Sequence, residues 1–178
     1  KAINVIHDAL FMSKIKTLNL FMIGPGLVGK TLLQQLQTQQ KDLLLNQQLE
    51  LNLVALADRE KMLFDPNGID LKNWDKALAK STTKSDLKKF VRQMHELNLA
   101  NSVFIDCTSS EEVANHYAEI LNASISVVTP NKKAQSGNIK NYLNLASAAS
   151  KSNAKFLYET NVGAGLPVIK TLQDLQLS

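Results

Sequence analysis

The chain has 178 residues, of which 44% are hydrophobic and 20% are charged, and 20 Lys and Arg against 16 Asp and Glu give a net charge of +4. These ordinary values exclude a disordered or fibrous protein and allow one well-buried domain, or one domain and part of another. Because the lysines are scattered and aromatic residues make up only 6% of the chain, the composition indicates no nucleic-acid-binding surface.

Five apolar segments, dense in Val, Ile, Leu and Phe, predict strands. In chain order they are residues 17–23, 49–57, 102–107, 124–129 and 154–158. Their central residues show little alternation of apolar and polar side chains, which is typical of strands covered on both faces. We therefore expect a parallel sheet.

Four segments between these strands carry apolar side chains at the spacing of an amphipathic helix. They are residues 27–40, 85–97, 110–121 and 138–151. In the third, Ser109 and Ser110 precede Glu111 and Glu112, an order typical of a helix N-terminus. Residues 65–74, which contain Pro and an Asn-Gly pair, predict a turn-rich connection. Alternating strands and helices predict a doubly wound α/β sheet, the Rossmann-type dinucleotide-binding fold.

The first strand and the first helix meet at a glycine-rich turn. Gly24, Gly26 and Gly29 form the pattern G-x-G-x-x-G at a strand-to-helix junction, which is the context this pattern requires. The first glycine permits the reversal, the second lets a diphosphate approach the backbone, and the third lets the helix pack closely on the strand. The N–H groups of the first helical turn then face the phosphate charge. The turn predicts a dinucleotide site, with a ligand-free glycine turn as the alternative.

The second predicted strand ends at Asp58 and Arg59. A carboxylate at this point accepts hydrogen bonds from the adenosine ribose, which favours NAD, whereas an arginine pairs with the 2′-phosphate of NADP. A solvated surface arginine is the alternative for Arg59. The choice between NAD and NADP stays open.

Ligands of doubly wound sheets bind outside the carboxyl ends of the strands. Two of these ends are polar, at residues 106–110 and 129–134. We expect Thr108 and Ser109 on the nicotinamide side of the site and the Lys132 ammonium near cofactor and substrate. Helix capping is the alternative for Ser109, and a free surface lysine is the alternative for Lys132.

The other polar candidates predict no catalytic or metal-binding cluster. His7, His95 and His116 fall on separate predicted helices without metal-ligand spacing. Cys107 is the only cysteine and has no basic partner nearby, so we expect a small core residue and no intrachain disulfide. The single cysteine favours a reducing compartment. We expect the cytoplasm, because no apolar run reaches the roughly 18 to 20 residues of a membrane-spanning helix and no signal peptide is recognisable.

Four motifs together resemble the homoserine dehydrogenase family. They are FMIGPGLVGK at residues 21–30, DCTSS at 106–110, VVTPNKKA at 127–134 and FLYETNVGAGLPVI at 156–169. The last motif is long and unusual, and the resemblance runs from about Leu18 to Ser178. Residues 1–14 resemble the end of the regulatory region and the linker that precede this domain in bifunctional aspartokinase/homoserine dehydrogenases.

The resemblance implies a piece of a longer enzyme, in keeping with a first residue, Lys1, that is not methionine and a last residue inside a helical pattern. By this comparison residues 1–16 are a linker from a preceding regulatory region. Residues 17–160 are the NAD(P)-binding domain, and residues 161–178 begin a truncated catalytic and dimerisation domain.

The resemblance also implies an NAD(P)-dependent oxidoreductase that interconverts aspartate-4-semialdehyde and homoserine in threonine and methionine biosynthesis. It implies a homo-oligomer in the full-length enzyme. We expect neither nucleic acid nor membrane as a partner, given the scattered charge and the short apolar runs. The cofactor contacts that it implies are the glycine turn, Leu27, Val28, Thr108, Ser109 and Lys132. The ligands that it implies for a sodium ion are the Glu159 side chain and the carbonyls of Val162, Ala164 and Leu166.

The family's substrate and acid–base residues lie beyond Ser178, so no residue here is predicted to be catalytic. We expect the chain to bind dinucleotide and to turn over little or no homoserine. Two other functions stay open, a non-catalytic module that senses NAD(H) and a dehydrogenase of another small aldehyde or amino acid. In isolation the last helical segment is expected to expose its apolar side chains, Leu166, Ile169, Leu172 and Leu175.

Overall fold

The computed structural model describes residues 15–176 of the chain. These residues divide into two compact units, the first ending at Ile105 and the second beginning at Asp106. The predicted linker up to residue 14, His7 and the last two residues lie outside the described part. No helix within residues 15–176 combines the length and the apolar character needed to cross a membrane.

The described residues of the first unit form four strands, β1 (Lys16–Ile23), β2 (Leu49–Ala57), β3 (Met62–Phe64) and β4 (Ser102–Asp106). Their order in the sheet is β3-β2-β1-β4. β1 and β2 are parallel, with Lys16 opposite Leu49 and Ile23 opposite Ala57. The strand order reverses at β1, which has β2 on one side and β4 on the other. The carboxyl end of β1 therefore lies where doubly wound sheets bind ligands.

β3 corrects the expectation of a purely parallel sheet, because it pairs with β2 in the antiparallel direction. The cause is a tight turn directly after β2, in which the Asp58 N–H donates to the Lys61 carbonyl at 2.9 Å. The turn sends the chain straight back along β2, so no crossover helix separates the two strands. A strand of three residues is too short to show in the hydrophobic pattern.

Three helices lie between residue 15 and the end of the first unit. They are α1 (Leu27–Gln47), α2 (Trp74–Lys80) and α3 (Leu87–Leu97). α1 continues past the predicted end at Gln40 and stops where Gln48 adopts a left-handed conformation, with φ of +53°. α3 begins after Asp86, whose side chain accepts a hydrogen bond from the Lys89 N–H at 2.9 Å. The turn-rich connection at residues 65–74 is observed, but the sequence pattern missed α2 directly after it.

A chain of aromatic rings forms much of the core of the first unit. Phe21 in β1 and Phe104 in β4 are fully buried. The Phe64 ring lies 4.8 Å from that of Phe90, and Phe90 lies 6.4 Å from Phe104 in an edge-on arrangement. Burying aromatic side chains stabilises by roughly 1.5–3 kcal/mol each. The Phe21 ring lies 6.5 Å from that of Phe64, so this packing includes the part of β1 just before the glycine turn.

The second unit contains two parallel strands and four helices among the described residues. The helices are α4 (Glu111–Asn115), α5 (Tyr117–Asn122), α6 (Ile139–Ser152) and α7 (Val168–Gln176), and the strands are β5 (Ser126–Val128) and β6 (Phe156–Leu157). Val127 of β5 lies opposite Phe156 of β6. Short 3₁₀ turns occupy Lys132–Ala134 and Glu159–Asn161.

The single helix predicted at residues 110–121 is in fact two helices, which meet at His116. The His116 N–H donates to the Val113 carbonyl at 3.1 Å, the tighter spacing that ends an α-helix. His116 Nδ1 lies 2.8 Å from Glu119 Oε1, in the first turn of α5. Tyr117, the first residue of α5, is completely buried.

Candidate dinucleotide-binding site

The glycine turn of the first unit begins with a backbone conformation that suits glycine. Gly24 has φ of +87°, a value that side-chain-bearing residues rarely adopt. Its N–H donates to the Ala57 carbonyl at the end of β2 at 2.9 Å. The turn is therefore tied to the strand end that carries Asp58.

Gly29 allows α1 to lie directly against the turn. A Cβ atom at this position would lie 2.6 Å from Met22 Cε and 2.3 Å from the Gly24 carbonyl oxygen. Real Cβ atoms do not approach backbone so closely. The third glycine of the pattern thus has a packing reason, and the start of α1 is fixed against β1.

Gly26 lies at the N-terminus of α1 and has free space where a side chain would be, with no atom within 4 Å of an added Cβ. No side chain caps this helix end, and its first turn contains no acidic residue. Leu27 and Val28 are 86% and 55% exposed. A long helix with uncapped N–H groups and an accessible first turn attracts a phosphate.

At the end of β2, Asp58 Oδ1 accepts hydrogen bonds from the Glu60 and Lys61 N–H groups, both at 2.7 Å. Both of these bonds fall on the same oxygen of the carboxylate. Arg59 is exposed at the tip of the turn. The turn has a second support that the sequence did not indicate, because the Ser85 hydroxyl donates to the Asp58 carbonyl at 2.7 Å across 27 residues.

In the second unit, Thr108 and Ser109 follow β4. The Thr108 N–H donates to Asp106 Oδ1 at 2.7 Å, and Thr108 Oγ1 accepts from the Ser110 N–H at 3.0 Å. The Thr108 hydroxyl proton is not used in that second bond. Ser109 is exposed, and the side chain that caps α4 is that of Ser110, which accepts from the Val113 N–H at 3.4 Å. Helix capping therefore does not explain Ser109.

Lys132 is exposed and opens the 3₁₀ turn after β5. The preceding residue, Asn131, is 2% exposed and caps that turn, since its Oδ1 accepts from the Lys133 N–H at 3.1 Å. The backbone that carries the ammonium is therefore anchored in the interior of the second unit.

A buried polar network underlies these two loops, and sequence patterns missed it. Its members are Asp106, Tyr117, Thr129 and Asn131, none more than 2% exposed. The Tyr117 hydroxyl donates to Asp106 Oδ2 at 2.5 Å, and the Asn131 side-chain amide donates to the same oxygen at 2.9 Å. Burial, followed by the negative charge and hydrogen bond of Asp106, raises the pKa of Tyr117 far above its usual value. The tyrosine therefore stays a hydrogen-bond donor at any physiological pH.

Cys107 is partly buried between Asp106 and Thr108. Burial first, and then the charge of Asp106, raises the pKa of its thiol to about 11. A thiol with so high a pKa is a poor nucleophile at neutral pH. This agrees with a packing role.

The last motif forms a loop that enters α7. Glu159 Oε1 accepts from the Ile169 N–H at 2.8 Å, and Glu159 Oε2 accepts from the Lys170 N–H at 3.1 Å, so the carboxylate caps that helix. Gly163 and Ala164 have φ of +72° and +51°. The residues between 15 and 176 contain no group of three His, Cys, Asp or Glu side chains that could hold a metal.

A cavity of about 390 Å³ in the first unit lies away from the glycine turn. Its walls include Thr17 and Glu50 near the starts of β1 and β2, and Asp70 in the following connection. These are the opposite ends of the strands from Gly24. The cavity therefore has no part in the glycine-turn site.

The sequence profile of the family described as "Homoserine dehydrogenase, NAD binding domain" matches residues 24–159. The chain belongs to this family. The match begins at the first glycine of the turn and ends at the glutamate that caps α7. It includes every residue that was predicted to contact the cofactor.

Curated relatives of this homoserine dehydrogenase domain are longer proteins. Over 98% of its length, the chain is 43% identical to a bifunctional aspartokinase/homoserine dehydrogenase of Haemophilus influenzae. Over the same share it is 41% identical to the chloroplastic bifunctional aspartokinase/homoserine dehydrogenase 2 of Arabidopsis thaliana. The chain spans about a fifth of their length, 21% and 19% respectively.

A solved relative has the same fold. A hyperthermophilic archaeal homoserine dehydrogenase mutant, in complex with NADPH, superposes with a TM-score of 0.69 at 25% identity. The alignment covers 88% of this chain and 48% of that one. The predicted Rossmann-type fold is thereby confirmed, and the antiparallel β3 departs from the expected parallel sheet.

Proposed function

We propose that the chain binds NAD(P)(H) and forms the cofactor-binding part of a homoserine dehydrogenase that reduces aspartate-4-semialdehyde to homoserine. The observation that carries this proposal is the N-terminus of α1. It lies behind a glycine turn, no side chain caps it, and Gly26 leaves the space beside it open. Backbone N–H groups and the helix dipole then stabilise the diphosphate of the cofactor.

The other candidates divide between the two ends of the dinucleotide. Asp58 and Arg59 serve the adenosine ribose, because a carboxylate accepts from its hydroxyls and a guanidinium pairs with a 2′-phosphate. Thr108, Ser109 and Lys132 serve the nicotinamide end. When bound, the reduced nicotinamide supplies the hydride for the aldehyde carbon, and this chain's residues only bind and orient the cofactor. Substrate binding and proton transfer belong to a following domain, which begins near residue 161 after a cofactor domain at residues 17–160.

The glycine turn gives a direct test by calorimetric titration with NADPH and NADH. Gly26→Leu fills the open space without strain, since Gly26 has φ of −74°. We expect this variant to bind each cofactor at least tenfold more weakly, a loss of about 1.4 kcal/mol. Its thermal stability should stay close to that of the unaltered chain. Gly137→Leu is the matched control, because Gly137 also has nothing within 4 Å of an added Cβ. Unchanged affinity in Gly26→Leu would contradict the proposal.

A non-catalytic NAD(H) sensor or a different dehydrogenase would pass that test. A longer version of the protein that includes the following region decides among the three. Homoserine-dependent reduction of NAD(P)+ supports the proposal, and reduction with another small alcohol in place of homoserine points to a different dehydrogenase. Tight cofactor binding without any turnover indicates a sensor. We expect the 178-residue chain by itself to show little or no homoserine turnover.

The loop before α7 is proposed as a sodium site, held by Glu159 and the carbonyls of Val162, Ala164 and Leu166. The donors suit a hard cation, because they are one carboxylate and backbone oxygens, and the left-handed residues Gly163 and Ala164 turn the backbone sharply. The carboxylate would have to combine this role with capping α7. Glu159→Gln keeps an oxygen for the cap and removes the charge. In the unaltered chain, NaCl should raise the melting temperature more than choline chloride does. We expect this difference to disappear in Glu159→Gln and to persist in the control Glu119→Gln.

Two broader expectations complete the proposal. A cytoplasmic or other reducing location is favoured by the single, partly buried Cys107. Self-association of the full-length enzyme is favoured by exposed apolar residues at the end of the chain, namely Leu166, Leu172 and Leu175, which are 65%, 58% and 67% exposed. Ile169, in contrast to the prediction, is half-buried. Light scattering of the full-length protein tests the oligomeric state.

A further inference from the structure

One buried carboxylate joins the two loops that carry Thr108 and Lys132. Asp106 is completely buried, and its Oδ1 accepts from the Thr108 N–H at 2.7 Å. Its Oδ2 accepts from the Asn131 side chain at 2.9 Å and from the Tyr117 hydroxyl at 2.5 Å. A rotation of this carboxylate would therefore disturb both loops at the same time.

Asn131 connects Asp106 to the 3₁₀ turn that contains Lys132. Its Nδ2 also donates to the Ser110 carbonyl at 2.8 Å, and its Oδ1 accepts from the Lys133 N–H at 3.1 Å. Its own N–H donates to Thr129 Oγ1 at 2.8 Å. Every polar atom of the Asn131 side chain is thus engaged, so the 3₁₀ turn with Lys132 has one orientation relative to β5.

Tyr117 orients the carboxylate through its hydroxyl group, while its ring serves a separate purpose. The ring packs 5.8 Å from that of Phe156 and is fully buried. The hydroxyl oxygen lies within 2.9 Å of Thr129 Oγ1, and that threonine hydroxyl donates to the Asp106 carbonyl at 2.9 Å. A phenylalanine at this position keeps the ring packing and removes only the hydroxyl that fixes Asp106.

We propose that Tyr117 is a positioning residue for the nicotinamide end of the cofactor, because its hydroxyl holds Asp106 and Asp106 fixes the loops of Thr108 and Lys132. This inference rests on the proposed cofactor function. It differs from a plain stabilising role in one respect. Loss of the hydroxyl should weaken contacts to the nicotinamide half and leave the adenosine half untouched.

The test compares NADPH with 2′-phospho-ADP-ribose, which lacks the nicotinamide ring, by titration of the 178-residue chain. We expect Tyr117→Phe to weaken the binding of NADPH by about tenfold, the scale of one lost hydrogen bond to a buried charge. The affinity for 2′-phospho-ADP-ribose should stay unchanged. Tyr142→Phe is the matched control, because it also removes a hydroxyl hydrogen bond, the 3.1 Å contact with Tyr158. It should bind both ligands as the unaltered chain does.

A double-variant comparison separates positioning from direct contact. If Tyr117 acts through Lys132, adding Tyr117→Phe to Lys132→Ala should cost clearly less NADPH affinity than Tyr117→Phe costs alone. Should Tyr117→Phe unfold, Thr129→Val and Thr129→Ser replace it, since only the serine keeps the hydroxyl. We then expect Thr129→Ser to retain NADPH affinity and Thr129→Val to lose it selectively.

The possible results distinguish failure of the positioning role from failure of the proposed cofactor function. If the unaltered chain binds neither ligand, the proposed function itself is wrong. If the unaltered chain binds both ligands, and Tyr117→Phe lowers the affinity for neither or lowers both affinities equally, the positioning role is overturned. Full additivity of Tyr117→Phe and Lys132→Ala would overturn the route through Lys132.

Discussion

A Cβ atom on Gly29 would lie 2.3 Å from the Gly24 carbonyl oxygen, so the conformation of Gly24 requires a glycine at position 29. Gly24 takes a left-handed conformation that points its carbonyl at α1, and Gly29 leaves the space for it. The helix axis thereby begins immediately behind the turn. The uncapped N–H groups of α1 are presented together at one place, and this is the arrangement that the proposed function uses to bind a diphosphate.

Gly29→Ala should therefore destabilise the chain. The obstructing atom is backbone, which cannot rotate away, and overpacking of this kind costs about 1–3 kcal/mol. The free energy of unfolding from urea titration measures the loss. Gly26→Ala, where the added methyl meets nothing within 4 Å, is the control and should unfold at nearly the same urea concentration as the unaltered chain. Equal stability of the two variants would contradict the packing argument.

Arg59→Ala should shift cofactor preference toward NADH. The side chain is exposed beside Asp58, where a guanidinium can pair with a 2′-phosphate that NADH lacks. We expect the dissociation constant for NADPH to rise about tenfold and that for NADH to stay constant. Arg92→Ala is the control, because Arg92 is also exposed and makes a 3.8 Å ion pair with Glu96 on α3. A parallel loss for both cofactors would show that Arg59 does not read the 2′-phosphate.

The sheet was largely predictable because its central strands are long apolar runs. β2 begins and ends where the sequence placed it, at Leu49 and Ala57. β3 was not predictable, because three residues carry no usable periodicity and its direction depends on the turn at Asp58. The break at His116 was hidden for a similar reason, since apolar side chains continue at helical spacing on both sides of it.

The candidate site was predictable only where it follows a local pattern. The glycines, Asp58 and Arg59 lie within short motifs at strand ends. The partners of Asp106 do not, because Tyr117 and Asn131 lie 11 and 25 residues further along the chain. Tyr117 reads as one more apolar position of a helix, and only the folded chain shows that its hydroxyl meets a buried carboxylate.

Cys107 should react slowly with iodoacetamide. Burial raises its pKa from 9.0 to about 11, so at pH 8 the thiolate is about 100-fold scarcer than in the unfolded chain. Alkylation followed by mass spectrometry gives the rate, and the same chain in urea gives the reference. The rate in the folded chain should keep rising to about pH 11. Rapid labelling at pH 8 without unfolding would disprove the buried environment.

Tyr158 should make the folded chain sensitive to alkali. Burial, followed by the hydrogen bond and charge of Tyr142, raises the pKa of Tyr158 from 10.0 to about 12. Because the folded pKa lies above the unfolded one, the stabilising contribution is complete below about pH 10 and is lost as the pH rises toward 12. The raised pKa values of Cys107 and Tyr117 act in the same direction.

Tyr142→Phe isolates the Tyr158 contribution, because it removes the 3.1 Å hydroxyl contact and keeps the ring. Tyrosinate absorbance at 295 nm should then show Tyr158 ionising closer to pH 10, and the free energy of unfolding should fall less steeply between pH 10 and 12 than in the unaltered chain. Tyr158→Phe should remove the same part of the pH dependence. An unchanged absorbance titration in Tyr142→Phe would mean that burial alone, without the neighbouring hydroxyl, sets the ionisation of Tyr158.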